Sequence, residues 1–163
     1  MTASRTERLQ QLAQAEGLDI SAELRLGGRY TPVVQHAGIS YLSGQVPRVG
    51  LDVVVQGSAG REVTLADAQR AARIGALRSL IILHQQPGGL EHVQQVLRVS
   101  VFVQSAPDFS QQSEVADAAS DLLVEVLGPA GVHSRTSVGV AQLPKNATVE
   151  VELTVAVEGV KAK

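Results

Sequence analysis

The chain predicts an α+β fold: a single mixed sheet with two helices on one face, and an extra N-terminal helix. Three observations carry this. Segments that alternate apolar and polar residues at period two stand before, between and after two segments whose apolar residues recur at helical spacing. The resulting order is strands, helix, strand, helix, strands, which one sheet with helices on one face satisfies. A length of 163 residues, 44 per cent of them apolar, suits one domain with one hydrophobic core.

Taken in order, residues 4–17 read as a short helix. Ser4 and Glu7 have capping-box spacing, Leu9, Leu12 and Ala13 share a face, and Gly17 is a natural stop. Alone it could bury little, so it is expected to sit as an appendage. With an irregular lead-in it makes up residues 1–29, ahead of a main domain at 30–163. Strands are expected at 31–36 and 39–46, turned by Ala37-Gly38, and "LDVVVQG" offers a third. Thr64 and Asp67 cap a helix whose apolar positions include Leu65, Ala68, Ala72, Leu77, Leu80 and Ile81. It ends near His84, before Pro87-Gly88-Gly89.

"VLRVSVFVQ" alternates with Leu97, Val99, Val101 and Val103 on one face, as a half-buried strand does. Pro107 and Asp108 open a second helix carrying Val115, Ala119, Leu122, Leu123 and Val126, closed by Gly128-Pro129. Two last strands, 134–142 and 148–157, are joined by "LPKNA" and read as a hairpin. In the final strand Val149, Val151 and Leu153 face one way, Glu150, Glu152 and Thr154 the other. Helices on the valine face leave a semi-polar face for water or for another copy of the chain. Copies packed sheet to sheet would have clefts at their seams.

Composition narrows the function. Aromatic residues are 2 per cent, too few for base-stacking platforms, and a net charge of −2 with scattered basic residues argues against a nucleic-acid partner. The absence of cysteine excludes disulfides, thiolate metal sites and cysteine nucleophiles. His36, His84, His92 and His133 stand without ligand spacing, so no metal site is expected. Phosphate-loop, dinucleotide, nucleophile-elbow and zinc-protease motifs are missing. The first residues carry no signal-like apolar run and no segment is apolar enough to span a membrane. A cytoplasmic location without a membrane partner is the expectation.

One segment carries chemistry: "HSRTSVGVAQLPKNATVEVELTVAV". Arg135 lies inside a strand pattern, with Ser137 two residues on and therefore on the same face. A guanidinium there is costly unless it is paired or meets an anionic ligand. A structural ion pair at an oligomer seam and an anchor for a ligand both satisfy that requirement.

This tail, with "YLSGQVPR" upstream and "VLRVSVFVQSAPDF" in the middle, resembles the YjgF/RidA (reactive intermediate deaminase) family over about residues 30–157. The resemblance implies a chorismate-mutase-like fold assembled as a homotrimer. It also implies hydrolysis of reactive enamines and imines (2-imino acids) to keto acids and ammonia, without metal or organic cofactor. The family's carboxylate-binding Arg falls on Arg135, its water-orienting Glu on Glu150, its cleft Tyr on Tyr30, and the Ser of its "SGQ" block on Ser43. Arg135 and Glu150 are thus the catalytic candidates, with Tyr30, Ser43 and Ser137 beside Arg135 in binding a small carboxylate or imino-acid ligand.

Where many active members have Cys, two residues after the Arg, this chain has Ser137, which keeps a hydroxyl. The small amide of the second helix falls on Asp117 or Ala118. The N-terminal extension and the long segment after Gly50 resemble a longer subgroup of the family. A non-catalytic carboxylate-binding or regulatory trimer is the alternative, and an endoribonuclease the weakest one. In a plain hairpin Arg135 and Glu150 would stand roughly 13–20 Å apart. The expectation is therefore a site shared between subunits, with Tyr30 and Ser43 supplied by the second one.

Overall fold

In chain order, the computed structural model, which describes residues 3–158, contains α1 (Arg5–Ala15), β1 (Val33–His36), β2 (Ile39–Leu42), the short ribbon β3 (Arg48–Val49) and β4 (Asp52–Val53), and α2 (Leu65–His84). There follow β5 (Val93–Gln104), α3 (Gln112–Leu127), β6 (Ser134–Val140) and β7 (Val149–Val157). The main sheet is ordered β1-β2-β7-β5-β6. β5 and β6 are parallel and the other neighbours antiparallel, so the sheet is mixed as expected.

Local chemistry starts α1 and α2 where the sequence places the signals. Ser4 Oγ accepts from Glu7 N at 3.1 Å while Glu7 Oε2 accepts from Ser4 N at 2.7 Å, a complete capping box. Thr64 Oγ1 accepts from Asp67 N at 3.1 Å. The sheet turns its valines, Val99, Val101, Val103, Val149, Val151 and Val155, toward the helices, and all are fully buried. From Ala71 to Leu83 nearly every residue of α2 is buried, because sheet, α1 and α3 surround it. Gly75 permits the close approach: a Cβ there would stand 2.9 Å from the Gln45 carbonyl oxygen and from Val151 Cγ2.

Several expectations are corrected. "LPKNA" does not close a hairpin, because β5 lies between β6 and β7 and the segment crosses its end. Sequence adjacency suggested pairing, but a βαβ unit had already placed β6 on the outer side of β5. Leu97 does not face the core. β5 slips register against β7 between Val96 and Arg98, so Val96 is 1% exposed and Leu97 39%. β2 ends at Leu42, and the chain rejoins β7 only at the Gln45–Val151 bridge. "LDVVVQG" contributes two strand residues, paired with Arg48–Val49 and not with the main sheet. α3 begins at Gln112, after Ala106 has paired with Ala59 and Phe109 has turned against Gly60.

α1 is not an appendage. Leu9 and Ala13 are fully buried in the common core, and Arg8 donates to the Val126 carbonyl near the end of α3. Leu9→Ala is therefore expected to cost about 2–5 kcal/mol in a urea melt. A loss below about 0.5 kcal/mol, the scale of surface changes, would return α1 to the status of an appendage.

Candidate active site

A cavity of about 400 Å³ opens at the end of the sheet where β2 breaks off. Glu150, Tyr30 and Ser43 line it together, with Gly44, Gln45, Arg48 and Arg78 behind them and Lys145 at the rim. Glu150 comes from β7 on the face away from the helices, since its neighbours Val149 and Val151 are buried on the other side. Its side chain crosses the backbone at Gly44. A Cβ there would stand 2.8 Å from Glu150 Cδ, so this position has room only for glycine. The Tyr30 ring lies on the Gly27-Gly28 backbone, where a Cβ on Gly28 would come within 3.0 Å of it. Ser43 Oγ donates to the Thr31 carbonyl at 2.8 Å, which leaves its lone pairs to the cavity.

Among the described residues nothing donates a hydrogen bond to the Glu150 carboxylate. Burial pushes its pKa above 4.5, and the like charge of Glu152 adds to the rise. A half-buried carboxylate without a protein partner is suited to accept a proton from water.

The rim is held in a strained shape. Lys145 and Asn146 both adopt left-handed backbone, with φ of 60° and 57°. Gln104, almost fully buried, holds them there. Its Nε2 donates to Asn146 Oδ1 at 2.7 Å and its Oε1 accepts from Leu143 N at 2.8 Å.

Arg135 is elsewhere. On the edge strand β6 it is level with Val99, hence on the helix face, whereas Glu150 is level with Phe102 and Val138 on the opposite face. Three residues along and two strands across put their Cα atoms roughly 14 Å apart. Arg135 donates to Asp117 Oδ1 at 2.8 Å, Ser120 Oγ at 2.9 Å and the Ser113 carbonyl at 3.3 Å. Ser120 Oγ also lies 2.8 Å from His133 Nε2, and His133 Nδ1 lies 2.6 Å from the Gly131 carbonyl. Ser137 shares the Arg135 face of β6. Of the two candidates on α3, Asp117 is the one that reaches Arg135.

The structure thus divides the expected residues differently from the hairpin argument. Tyr30 and Ser43 accompany Glu150 in one chain, and Arg135 with Ser137 is the part that stands away.

The family model described as "YjgF/chorismate_mutase-like, putative endoribonuclease" matches residues 10–157. The chain belongs to this family. TCP17 of Trypanosoma cruzi is 37% identical over 143 residues, covering 87% of this chain and 89% of that protein. A solved protein of unknown function from Agrobacterium tumefaciens is 32% identical, with a TM-score of 0.82 over 94% of this chain and 95% of its own. A solved structure from Shewanella oneidensis MR-1, described in endoribonuclease terms, is 27% identical with a TM-score of 0.83, covering 91% of this chain and 99% of its own.

For this YjgF-family chain the sequence reading gave no role to Arg78, Arg48, Gln45 or Lys145, although Gln45 and Arg48 lie within "YLSGQVPR" and Lys145 within "LPKNA". Arg78 left one trace, a single cation in the apolar run "ALRSLIIL". Arg48 closes the "YLSGQVPR" block, but its burial depends on the fold of the ribbon.

The Arg135–Asp117 pair is partly open, with side chains 21% and 60% exposed. Asp117→Ala should therefore change stability by no more than about 1 kcal/mol in chemical denaturation. A loss of several kcal/mol would make the pair chiefly structural.

Proposed function

We propose that the protein hydrolyses reactive enamine or imine intermediates, the 2-imino acids, to keto acids and ammonia. The observation that carries this is Glu150, a half-buried carboxylate without a protein hydrogen bond, beside Ser43 and Tyr30 in a small-ligand cavity. Glu150 takes a proton from water as the water oxygen bonds to the imine carbon. It passes that proton to the imine nitrogen, giving the carbinolamine. The proton of the new hydroxyl then also moves to nitrogen by way of Glu150 as the C=O bond forms and the C–N bond breaks, leaving the keto acid and ammonia. Arg135 anchors the ligand carboxylate by a bidentate, charge-assisted pair. Because Arg135 and Glu150 are too far apart within one chain, the arginine comes from a neighbouring copy in a homotrimer. The open sheet face, with Tyr41 53% and Val138 41% exposed, is the surface through which copies would meet.

A second reading has its own support. Asp117 already occupies one arm of the Arg135 fork, which suits a trimer that binds a small carboxylate without turning it over. Ammonia release from an imine generated in situ separates the two.

Arg135→Ala and Glu150→Gln should each abolish that release while the chain stays folded. Mixing the two inactive variants before assembly should then restore activity. Each mixed cyclic trimer regains one intact site, up to about a quarter of the wild-type total for random mixing. A mixture as inactive as its components would place both residues in a single-chain site, or outside the mechanism.

Glu150 must be ionised to act as a base. Turnover should therefore fall as pH drops through a midpoint above 4.5. Glu152→Gln removes the smaller cause of the shift, so it should move that midpoint to lower pH without reaching 4.5. A pH profile unaffected by this change would remove Glu150 from the rate-determining proton transfer.

A further inference from the structure

The floor of the Glu150 cavity holds two arginines that no carboxylate among the described residues neutralises. Arg78 is 3% exposed and Arg48 9%. The ion pairs among the described residues are Arg70 with Glu16 and Arg135 with Asp117. Arg78 gives three of its five N–H groups to neutral oxygens: Gln45 Oε1 at 3.1 Å, the Arg48 carbonyl at 3.0 Å and the Arg25 carbonyl at 3.2 Å. Arg48 joins this network only through its backbone. Its guanidinium makes no hydrogen bond to a described residue, and none of its nitrogens is sealed from solvent; Arg48 lines this cavity and also the adjoining one beside Leu51 and Asp52.

A purely structural role explains half of this. Arg78 does clamp the lead-in and the Arg48 ribbon onto α2. That role does not require a second, unbonded arginine beside it. Two buried like charges are costly, and burial together with Arg48 pushes the Arg78 pKa down to about 10. Glu150 does not compensate them, since its own acidity is set by burial and Glu152 rather than by a nearby cation. The exposed Arg25 and Lys145 add further positive charge at the mouth.

We propose that this floor is an anion subsite, seating the second carboxylate of a ligand whose first carboxylate is held by Arg135 of a neighbouring copy. The substrate class is then the 2-imino dicarboxylic acids, with dicarboxylic keto acids as products. This rests on the deaminase reading and narrows it. An anion placed between Arg78 and Arg48 relieves their repulsion and completes the unused donors. The imine carbon is then held at both ends, across from Glu150.

The test compares two stable keto acids, 2-oxoglutarate and 2-oxobutyrate, by calorimetry with the full-length wild-type protein. The dicarboxylate should bind roughly 10- to 100-fold more tightly, the range of one charge-assisted pair. Arg48→Gln should erase that preference while leaving 2-oxobutyrate affinity unchanged, whereas Arg78→Gln, which also releases the lead-in, should erase it and weaken the binding of both acids. Arg48→Gln is the decisive variant, because its side chain clamps nothing and its loss should not unfold the lead-in. Equal affinity for the two acids, binding of neither, or a preference that survives Arg48→Gln would overturn the subsite. Ammonia release is read separately. A dicarboxylate preference without turnover of either imine leaves the subsite standing and sinks only the deaminase reading.

Discussion

Hydrogen bonding of β5 on both of its edges, antiparallel to β7 and parallel to β6, is the constraint on which the rest of the molecule depends. From Arg98 to Val103 the strand is paired on both sides, and its buried valines supply the floor on which α2 and α3 pack. The parallel partner requires a crossover, which α3 provides. That crossover carries β6 to the sheet edge and forces "LPKNA" across the end of β5. The separation of Arg135 from Glu150 follows directly, both across the sheet and from one face to the other.

The cavity arises where the same sheet is interrupted. β2 stops pairing after Leu42 and resumes with one bridge at Gln45, and the gap exposes the Gly44 backbone to Glu150. α2 lies close beneath because Gly75 has no side chain to hold it off. The lead-in then folds over, covering Arg78. Each feature costs stability: two left-handed residues at the rim, a pair of buried cations, and a carboxylate driven out of water. The sign for Glu150 is clear. A carboxyl whose folded pKa is raised favours the folded state while protonated, and that advantage disappears as pH climbs from 4.5 through the folded value. At neutral pH ionised Glu150 therefore weakens the fold it sits in. Such costs concentrate where a ligand would offset them, whereas the rest of the core is filled with aliphatic side chains of ordinary geometry.

Arg135 shows how an edge strand is put to use. β6 is polar and half exposed along its length, as an edge that avoids indiscriminate pairing tends to be. Its guanidinium is presented by Asp117, Ser120 and the Ser113 carbonyl, all from α3, rather than buried by the sheet. The helix fixes the direction of the fork while leaving it partly exposed.

Much of the architecture was legible from local signals. The capping box at Ser4, the cap at Thr64, the glycine stops at Gly17 and Gly128 and the alternation in β7 act over a few residues, and the structure uses all of them. Glu150, Tyr30 and Ser43 could be singled out only through the family resemblance, which rests on short contiguous blocks such as "YLSGQVPR". Leu97 was misplaced because a bulge shifts the period by one residue without a compositional mark. The strand order was misread because pairing partners are chosen by long-range packing, not by proximity along the chain. Sequence alone determined which segments become helices or strands and which residue types are available for chemistry, since propensity, capping and periodicity are short-range effects. Tertiary structure alone decided that Arg135 and Glu150 lie on opposite faces and that Arg78 and Arg48 share a floor with Glu150. Burial and charge proximity depend on which distant segments meet, and no local pattern encodes that.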